Sequence, residues 1–291
     1  MKLYTIDTGF FKLDGGAMFG VVPKSIWNKL NPADENNMCT WAMRCLLVEE
    51  GNRLVLIDNG IGEKQDKKFL SYYFLHGEET VEKSLHKHGF TPEDITDVFL
   101  THLHFDHCGG SVKFAQANPS SGGWNNDRTG YELTFPNATY WSNEKHWASA
   151  VHPNSRERAS FLKENIFPIQ ESGHLKFIDD GEELFPGFSV FCVYGHTEAM
   201  MLPQISFNGK TLVYMADLIP SVGHIPVPFV MAYDMRPLIT LEEKKIFLDR
   251  AVKENYILFF EHDRLNECCT LKMTERGVRE DEIMKMSEVK F

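Results

Sequence analysis

The chain has 291 residues, of which 43% are apolar and 24% are charged. This length and apolar content allow a large buried core and exclude a disordered chain. With 41 acidic and 30 basic residues the formal net charge is −11, which disfavours a nucleic acid or an anionic membrane as the main partner and favours a small-molecule substrate. No uncharged apolar run approaches about 18 residues, so we expect no membrane span. Since no secretory leader pattern is present, we expect a cytoplasmic protein.

Strand and helix signals alternate in the first half of the chain. Residues 44–48 and 53–57 are apolar runs on either side of Glu-Glu-Gly-Asn, which predicts a hairpin. A helix is predicted over residues 80–88. Residues 91–94 read Thr-Pro-Glu-Asp, the pattern of a helix start. Residues 97–100, which read Asp-Val-Phe-Leu, then predict a buried strand.

The second half has the same mixture of elements. A strand is predicted over residues 189–193, followed by a hairpin of residues 200–207 and 211–215 around an Asn-Gly turn. A helix is predicted over residues 241–255, and residues 257–260 form a short apolar strand. These strands, like those of the first half, are followed by a histidine or an aspartate in the next loop.

The order of these elements predicts a layered α/β (α+β) fold, with sheet packed on sheet and helices outside. No Pro/Gly-rich linker divides the sequence. We therefore expect a single domain over residues 1–291, built from two similar halves at roughly 1–165 and 166–291.

A dense group of histidines and an aspartate follows the strand predicted at 97–100. The sequence there is Thr-His-Leu-His-Phe-Asp-His-Cys-Gly-Gly, with His102, His104, Asp106 and His107. Imidazole and carboxylate groups are the ligands of zinc and similar divalent ions. Residues two apart on an extended segment share a side, so His102 and His104 can bind one ion and the other two a second. A histidine-rich surface loop is the alternative, but the strand before it and the Gly-Gly turn after it favour a metal site.

This motif resembles the signature of the metallo-β-lactamase superfamily. The other ligand positions of that superfamily are similar to His196 in Gly-His-Thr, Asp217 after the second hairpin, and His262 after the last strand. The resemblance spans about residues 42–265 and implies an αββα sandwich. It implies that one metal is held by His102, His104 and His196, that the other is held by Asp106, His107 and His262, and that Asp217 bridges the two.

The resemblance also implies a role for residues around the metals. Asp58, in an Asp-Asn-Gly turn, resembles the family residue that orients the ligand loop by hydrogen bonds. A hydroxide shared by two divalent ions would attack an ester-like bond, and Asp106 or Asp217 would act as the catalytic carboxylate that handles the proton. Zinc is the first choice of metal, with manganese, iron and cobalt as alternatives.

Within the superfamily, residues 135–138, 194–197 and 215–219 resemble the branch of N-acyl-homoserine lactonases and methyl-parathion-type hydrolases. A lactone such as an acyl-homoserine lactone is therefore the expected substrate, and an organophosphorus triester or aryl ester is the alternative. Several such lactonases have a tyrosine three residues after the bridging aspartate, where this chain has Pro220. Another polar side chain could take the role of that tyrosine only if the fold brings it near the metals.

The candidates for this replacement, and for the substrate pocket, are Tyr194, His224 and Tyr233, although packing roles are an alternative for each. Residues 220–235, which include Phe229, form an apolar irregular segment that predicts either a pocket wall or the interface of a homodimer. Residues 10–41 leave the same two alternatives open. Residues 116–131 predict a flexible loop that covers the site.

Other functions fit the sequence less well. A glyoxalase II-like thioesterase usually carries basic residues for glutathione, and no such cluster follows His196. A non-enzymatic scaffold would be expected to have lost ligands, whereas all seven positions are filled. We therefore expect a dinuclear metal-dependent hydrolase of the lactonase or esterase type.

Overall fold

The structure, a computed structural model, describes residues 1–115 and 130–289. Its strands are β1 (Lys2–Asp14), β2 (Met38–Glu50), β3 (Arg53–Ile57), β4 (Asp97–Phe99), β5 (Val112–Phe114), β6 (Tyr131–Leu133), β7 (Thr139–Ser142), β8 (Leu175–Phe177), β9 (Glu183–Phe185), β10 (Phe188–Val193), β11 (Met200–Phe207), β12 (Lys210–Tyr214), β13 (Ile257–Phe259), β14 (Cys268–Thr274) and β15 (Gly277–Met284). Its helices are α1 (Gly15–Phe19), α2 (Lys24–Trp27), α3 (Lys67–Ser71), α4 (Val81–Lys87), α5 (Phe105–Cys108), α6 (Glu144–Val151), α7 (Lys163–Glu171) and α8 (Pro237–Lys253). Within the described ranges, no helix combines the length and apolar character needed to cross a bilayer.

Within residues 1–115 and 130–289, six strands form the first sheet, in the order β1-β2-β3-β4-β7-β8. The predicted hairpin is confirmed, because β2 and β3 pair antiparallel with Leu46 opposite Ile57. The next pairs, β3-β4, β4-β7 and β7-β8, are parallel. The Thr-Pro-Glu-Asp pattern before β4 forms only a 3₁₀ turn over Pro92–Asp94, because the chain becomes extended again at Ile95.

The second sheet has seven strands in the described part of the chain, in the order β15-β14-β13-β12-β11-β10-β9. The predicted hairpin of β11 and β12 is confirmed, and its turn residues Asn208 and Gly209 both have positive φ, as a type I′ turn requires. Strands β12 and β13 are parallel, so the chain must cross over between them, and α8 is in this crossover. This helix begins at Pro237 rather than near 241, because proline is compatible with the first helical turn.

The main core lies between the two sheets. Residues of β2 alternate between two environments: Leu46 and Val48 pack with residues of the second sheet such as Leu202, whereas Leu47 packs on the other face. That other face is covered by α4, α6 and α7, and α8 packs against the second sheet. The predicted αββα sandwich is confirmed. The first sheet ends with β8, so the change of sheet comes after the predicted boundary at residue 165.

Candidate metal centre

Strand direction brings the candidate ligands to one edge of the sandwich. In the second sheet β10 and β12 are both antiparallel to β11, and β13 is parallel to β12, so these three strands run the same way. His196, Asp217 and His262 each follow the end of one of them. In the first sheet, Asp58 follows β3 and His102 follows its parallel neighbour β4. The loops that carry these residues therefore leave the sheets together.

The His-x-His-x-Asp-His segment is extended through His104, which is the N-cap residue of the short helix α5. This bend turns Asp106 and His107 back toward the histidines before them. The two glycines after α5 are required by close packing. A Cβ on Gly109 would lie 2.2 Å from the carbonyl oxygen of Ile61, and one on Gly110 would lie 2.2 Å from that of Asn59. Any other residue would displace this loop.

The first cluster consists of His102, His104 and His196. Nδ1 of His104 lies 3.1 Å from Nε2 of His102 and 3.2 Å from Nε2 of His196. The three ring nitrogens therefore converge on one point. Oδ2 of Asp217 lies 3.1 Å from Nε2 of His196, so a carboxylate completes a set of four possible ligands.

The second cluster consists of Asp106, His107 and His262. The Nε2 atoms of His107 and His262 are 3.2 Å apart, and Oδ2 of Asp106 is 3.8 Å from each of them. Asp217 also reaches this cluster, because its Oδ2 is 3.5 Å from His107 Nε2 and its Oδ1 is 3.3 Å from His262 Nε2. Asp217 therefore lies between the two clusters, and all seven side chains predicted as metal ligands are brought together.

In the first cluster, carboxylates face the ring nitrogens of His104 and His196 that point away from the other ligands. Glu157 Oε1 lies 3.1 Å from Nε2 of His104, and Asp234 Oδ1 lies 2.8 Å from Nδ1 of His196. Thr197 donates a further hydrogen bond from its hydroxyl to Glu157. Such partners fix the orientation and tautomer of a ligating histidine. Sequence reasoning missed Glu157 and Asp234, because both lie in irregular segments without a motif.

In the second cluster, the ring nitrogens that point away from the other ligands have different neighbours. Asp58 Oδ2 lies 3.1 Å and Glu261 Oε2 lies 2.9 Å from the same atom, Nδ1 of His107. Asp58 also accepts hydrogen bonds from the backbone N–H and the hydroxyl of Thr101, at 2.8 and 2.7 Å, which ties it to the loop it was predicted to orient. Nδ1 of His262 lies 2.8 Å from the carbonyl oxygen of Ala42. Sequence reasoning missed Glu261, although an acidic residue at the end of a buried strand was a usable signal.

The electrostatics of these buried groups suit a cation. Burial lowers the pKa of His196, but the carboxylates of Asp217 and Asp234 outweigh it and raise the pKa to about 10. Likewise, Asp217 and Glu261 overcome burial and raise the pKa of His262 to about 9. Burial opposes ionisation of Asp217, yet the surrounding histidines hold its pKa well below its usual value. Without a bound cation, His196 and His262 therefore bind protons. They would lose these protons on binding a metal ion, because a histidine ligand is neutral.

The donor set fits divalent metal ions on a second ground. The ring nitrogens of both clusters approach each other as like atoms, and a lone pair that faces another lone pair gains nothing without a proton or a cation between them. Oδ1 of Asp217 is buried and forms no hydrogen bond within residues 1–115 and 130–289. Imidazole nitrogen and carboxylate oxygen are the ligand types that zinc and its neighbours accept.

Both clusters open into a cavity of about 310 Å³, which we call the metal cavity. Its described lining residues are Leu13, Met18, Tyr73, His104, Phe105, Asp106, Arg156, Ala159, Ser160, His196, Asp217, Met231, Ala232, Tyr233, Met235 and His262. The cavity thus combines ligand residues with apolar walls from residues 10–41 and 220–235, two segments whose role the sequence had left open. Arg156 at its rim donates a hydrogen bond to the carbonyl of Ala232.

The four substrate-pocket residues named from the sequence separate in the structure. Tyr233 lines the metal cavity, but the other three do not belong to its described lining. His224 is fully buried, stacked on Phe19 with ring centroids 4.3 Å apart. Tyr194 packs against the main core, and Phe229 lines a different cavity. In segments without regular secondary structure, the alternation of apolar and polar residues does not predict which side chains face the metal cavity.

The predicted cover over residues 116–131 lies outside the described residues except at its end. Tyr131 belongs to β6, which pairs with β5. Each of the six cysteines is a free, buried thiol.

Comparison with known proteins identifies the fold family. The model of the metallo-β-lactamase superfamily matches residues 44–262. The chain belongs to the metallo-β-lactamase superfamily. It is a metal-dependent hydrolase, as the sequence predicted.

Three similar proteins have low sequence identity to this chain but match nearly its whole length. An N-acyl homoserine lactonase of Bacillus thuringiensis is 26% identical over 277 residues, which are 90% of this chain and 93% of that protein. A probable metal-dependent hydrolase from Staphylococcus aureus is 27% identical, with a TM-score of 0.85 over 97% of this chain and 96% of its own. AidC, a dizinc quorum-quenching lactonase solved with a product, has a TM-score of 0.76 at 24% identity and covers 97% and 95% of the two chains.

Proposed function

We propose that the protein hydrolyses a lactone, with an N-acyl-homoserine lactone as the first candidate. The observation that carries this proposal is the pair of clusters joined by Asp217 in the floor of one cavity. Two divalent sites next to each other are typical of hydrolytic centres. The lactonase relatives support the substrate class.

In this proposal, His102, His104 and His196 hold one ion, while Asp106, His107 and His262 hold the other and Asp217 bridges them. Zinc is our first choice because the ligands are mostly imidazoles. When bound, two such ions would lower the pKa of a water molecule and polarise the substrate carbonyl. The core that joins β3 to β11 also leads us to propose that the two halves form one domain.

The carboxylates of the chain handle the proton. Asp217 and Asp106 both face the cavity, and either can take the proton released when water attacks the lactone carbonyl. The same carboxylic acid then returns the proton to the alkoxide that leaves when the ring opens. The overall change is the addition of one water molecule, which converts the lactone to a hydroxy acid.

Tyrosine hydroxyls of the metal cavity can assist the carbonyl oxygen. Burial, supported by nearby Tyr73, raises the pKa of Tyr233 above its usual value, and burial raises that of Tyr73 to about 12. Both hydroxyls therefore keep their proton at neutral pH and can donate a hydrogen bond to developing negative charge. We assign this role first to Tyr233, since Pro220 occupies the position where several lactonases have tyrosine.

The walls of the cavity favour a partly apolar substrate. Met18, Met231 and Met235 offer flexible apolar surface for an acyl chain. Among the described lining residues, Arg156 is the sole lysine or arginine, which disfavours the glutathione thioesters that a glyoxalase II-like enzyme would bind.

The test is a substrate panel with protein loaded separately with zinc, manganese or cobalt. N-hexanoyl-homoserine lactone, p-nitrophenyl acetate and paraoxon are compared, and ring opening is followed by mass spectrometry of the hydroxy acid. We expect lactone turnover to exceed both others in kcat/KM. Preference for paraoxon would favour the organophosphorus alternative, and absence of turnover with both carbon esters would overturn the proposal.

A further inference from the structure

A second cavity, of about 700 Å³, is separate from the metal cavity. The described lining residues of the two cavities do not overlap, although neighbouring residues contribute to each. Residues 221–223 and 226–229 line the larger one, and residues 231–233 and 235 line the metal cavity. Its volume lies in the range of small-molecule sites. We call it the arginine cavity, after Arg264, Arg276 and Arg279 in its lining.

One wall of the arginine cavity is apolar. Trp41, Val227 and Phe229 belong to it, and Ile26 and Leu30, each 49% exposed, extend this surface outward. Trp41 is fully buried, and its indole N–H has no hydrogen-bond partner in the described part of the chain. An apolar surface of this kind can bury an alkyl chain.

The other wall carries positive charge in a chain whose net charge is −11. Arg264 and Arg276 are exposed and form no salt bridge with any acidic side chain in residues 1–115 and 130–289. Arg279 donates a hydrogen bond to the backbone carbonyl of Val278. Guanidinium groups that lack an acidic partner, beside an apolar wall, are suited to a carboxylate.

The acidic residues of this cavity do not cancel that charge. The carboxylate of Asp263 accepts hydrogen bonds from the backbone N–H groups of Val222, Leu265 and Asn266 and from the amide of Asn266. It is therefore committed to holding the loop. Glu280, half-buried, is the remaining acidic lining residue among those described, against three arginines.

We propose that the arginine cavity binds the carboxylate of a medium-chain fatty acid. Its alkyl chain lies against Val227 and Phe229, and its carboxylate is bound by Arg264 and Arg276. This binding site is distinct from the site of hydrolysis and needs no metal ion. Both the positive charge and the apolar wall are required, so a neutral alcohol of the same chain length should bind more weakly.

The test measures decanoate and 1-decanol binding to the metal-loaded protein by isothermal titration calorimetry. The Arg264→Gln/Arg276→Gln variant should bind decanoate at least about tenfold more weakly, because two charge-assisted contacts are lost. The matched control is Lys67→Gln/Lys68→Gln, which removes the same charge from α3, away from the lining of this cavity. That control should bind decanoate with wild-type affinity.

A crystal structure with decanoate locates the ligand directly and distinguishes this cavity from the metals, which can also bind a carboxylate. Density along Val227 and Phe229 supports the proposal. Equal decanoate affinity in the two double variants, equal affinity for decanoate and 1-decanol, or density at the metals alone would overturn it. Sedimentation that shows a dimer dissociated by the arginine variant would also overturn it, in favour of a second copy of the chain as the occupant.

Discussion

The two ligand clusters differ in the groups that face the ring nitrogens pointing away from each cluster. In the first cluster, His104 and His196 each face one carboxylate, from Glu157 and Asp234. In the second, His107 alone faces two, while His262 faces only the backbone carbonyl of Ala42. Orientation in the first cluster thus depends on single side chains. In the second, Asp58 is hydrogen-bonded to His107, the carboxylate of Glu261 lies 2.9 Å from the same nitrogen, and the backbone partner of His262 is one that no substitution removes.

The largest effect should come from removal of one ligand from either cluster. His102→Ala and His107→Ala should each lower kcat/KM by at least about 10³-fold, because metal-ion catalysis contributes several kcal/mol to the barrier. Metal content per chain should fall in both. His152→Ala, on an exposed side chain, is the matched control and should keep wild-type activity. If either variant keeps a tenth of the activity, our ligand assignment for that residue is wrong.

The next prediction compares His196, which faces one carboxylate, with His107, which faces two. Asp234→Asn should weaken metal binding by about 10- to 100-fold, the usual effect of losing such a partner. Glu261→Gln should weaken it less, because Asp58 still faces the same nitrogen of His107. Competition with a chromophoric chelator measures both affinities.

Pairing Glu261→Gln with Asp58→Asn then tests for redundancy. The double variant should lose more metal affinity than the sum of the two single variants predicts. Asp249→Asn, an exposed carboxylate on α8, is the control. Equal losses in Asp234→Asn and Glu261→Gln would remove the distinction between the clusters.

A third experiment contrasts buried histidines with and without carboxylate partners. Among the described residues, the hydrogen-bond partners of the His224 nitrogens are Ser221 Oγ and the carbonyl oxygen of Met18, and burial lowers the pKa of His224 from 6.5 to about 3. Between these pH values the unfolded chain binds a proton at this residue that the folded chain does not. The free energy of unfolding should therefore fall by about 1.4 kcal/mol per pH unit on acidification, from this residue alone.

Urea unfolding between pH 4 and pH 6 measures this slope. His224→Gln lacks the titrating group, so its unfolding free energy should fall less steeply than that of the wild type by this amount. Parallel slopes for His224→Gln and the wild type would show that His224 is not held neutral by the fold.

The smallest effect concerns the cavity above both clusters. Tyr233→Phe should lower kcat/KM for the lactone by up to about tenfold, because one hydrogen bond contributes about 0.5–1.5 kcal/mol. Tyr72→Phe, on a side chain that is 59% exposed, should change nothing. An unchanged rate in Tyr233→Phe would exclude its hydroxyl as the group that assists the carbonyl.

Sequence reasoning succeeded where a signal is local. His102, His104, Asp106 and His107 fall within one short segment, so their common chemistry is visible without a fold. His196, Asp217 and His262 could be proposed only through the family resemblance, since lone residues at strand ends carry no pattern of their own. Glu157 and Asp234 could not be found at all, because nothing in the chain near them indicates that they face a histidine.

The same reasoning failed for the cavity walls for a related reason. Tyr194 and Tyr233 were equal candidates in the sequence, but only Tyr233 faces the metal cavity. Residues 220–235 have no regular secondary structure beyond one 3₁₀ turn, so no periodicity relates position in sequence to direction in space. The buried amine of Lys244, which donates hydrogen bonds to the carbonyls of His224 and Phe229, helps to fix that segment from a distant helix.

The sequence by itself determined the hairpins β2-β3 and β11-β12, the Asn-Gly turn of the second hairpin and the dense ligand motif, since each depends on residues close together in the chain. Only the tertiary structure decided which carboxylates orient each histidine, which tyrosine reaches the metal cavity, and that a second cavity pairs arginines with Trp41. These features depend on contacts between distant segments, and such contacts are set by the packing of two sheets rather than by local periodicity.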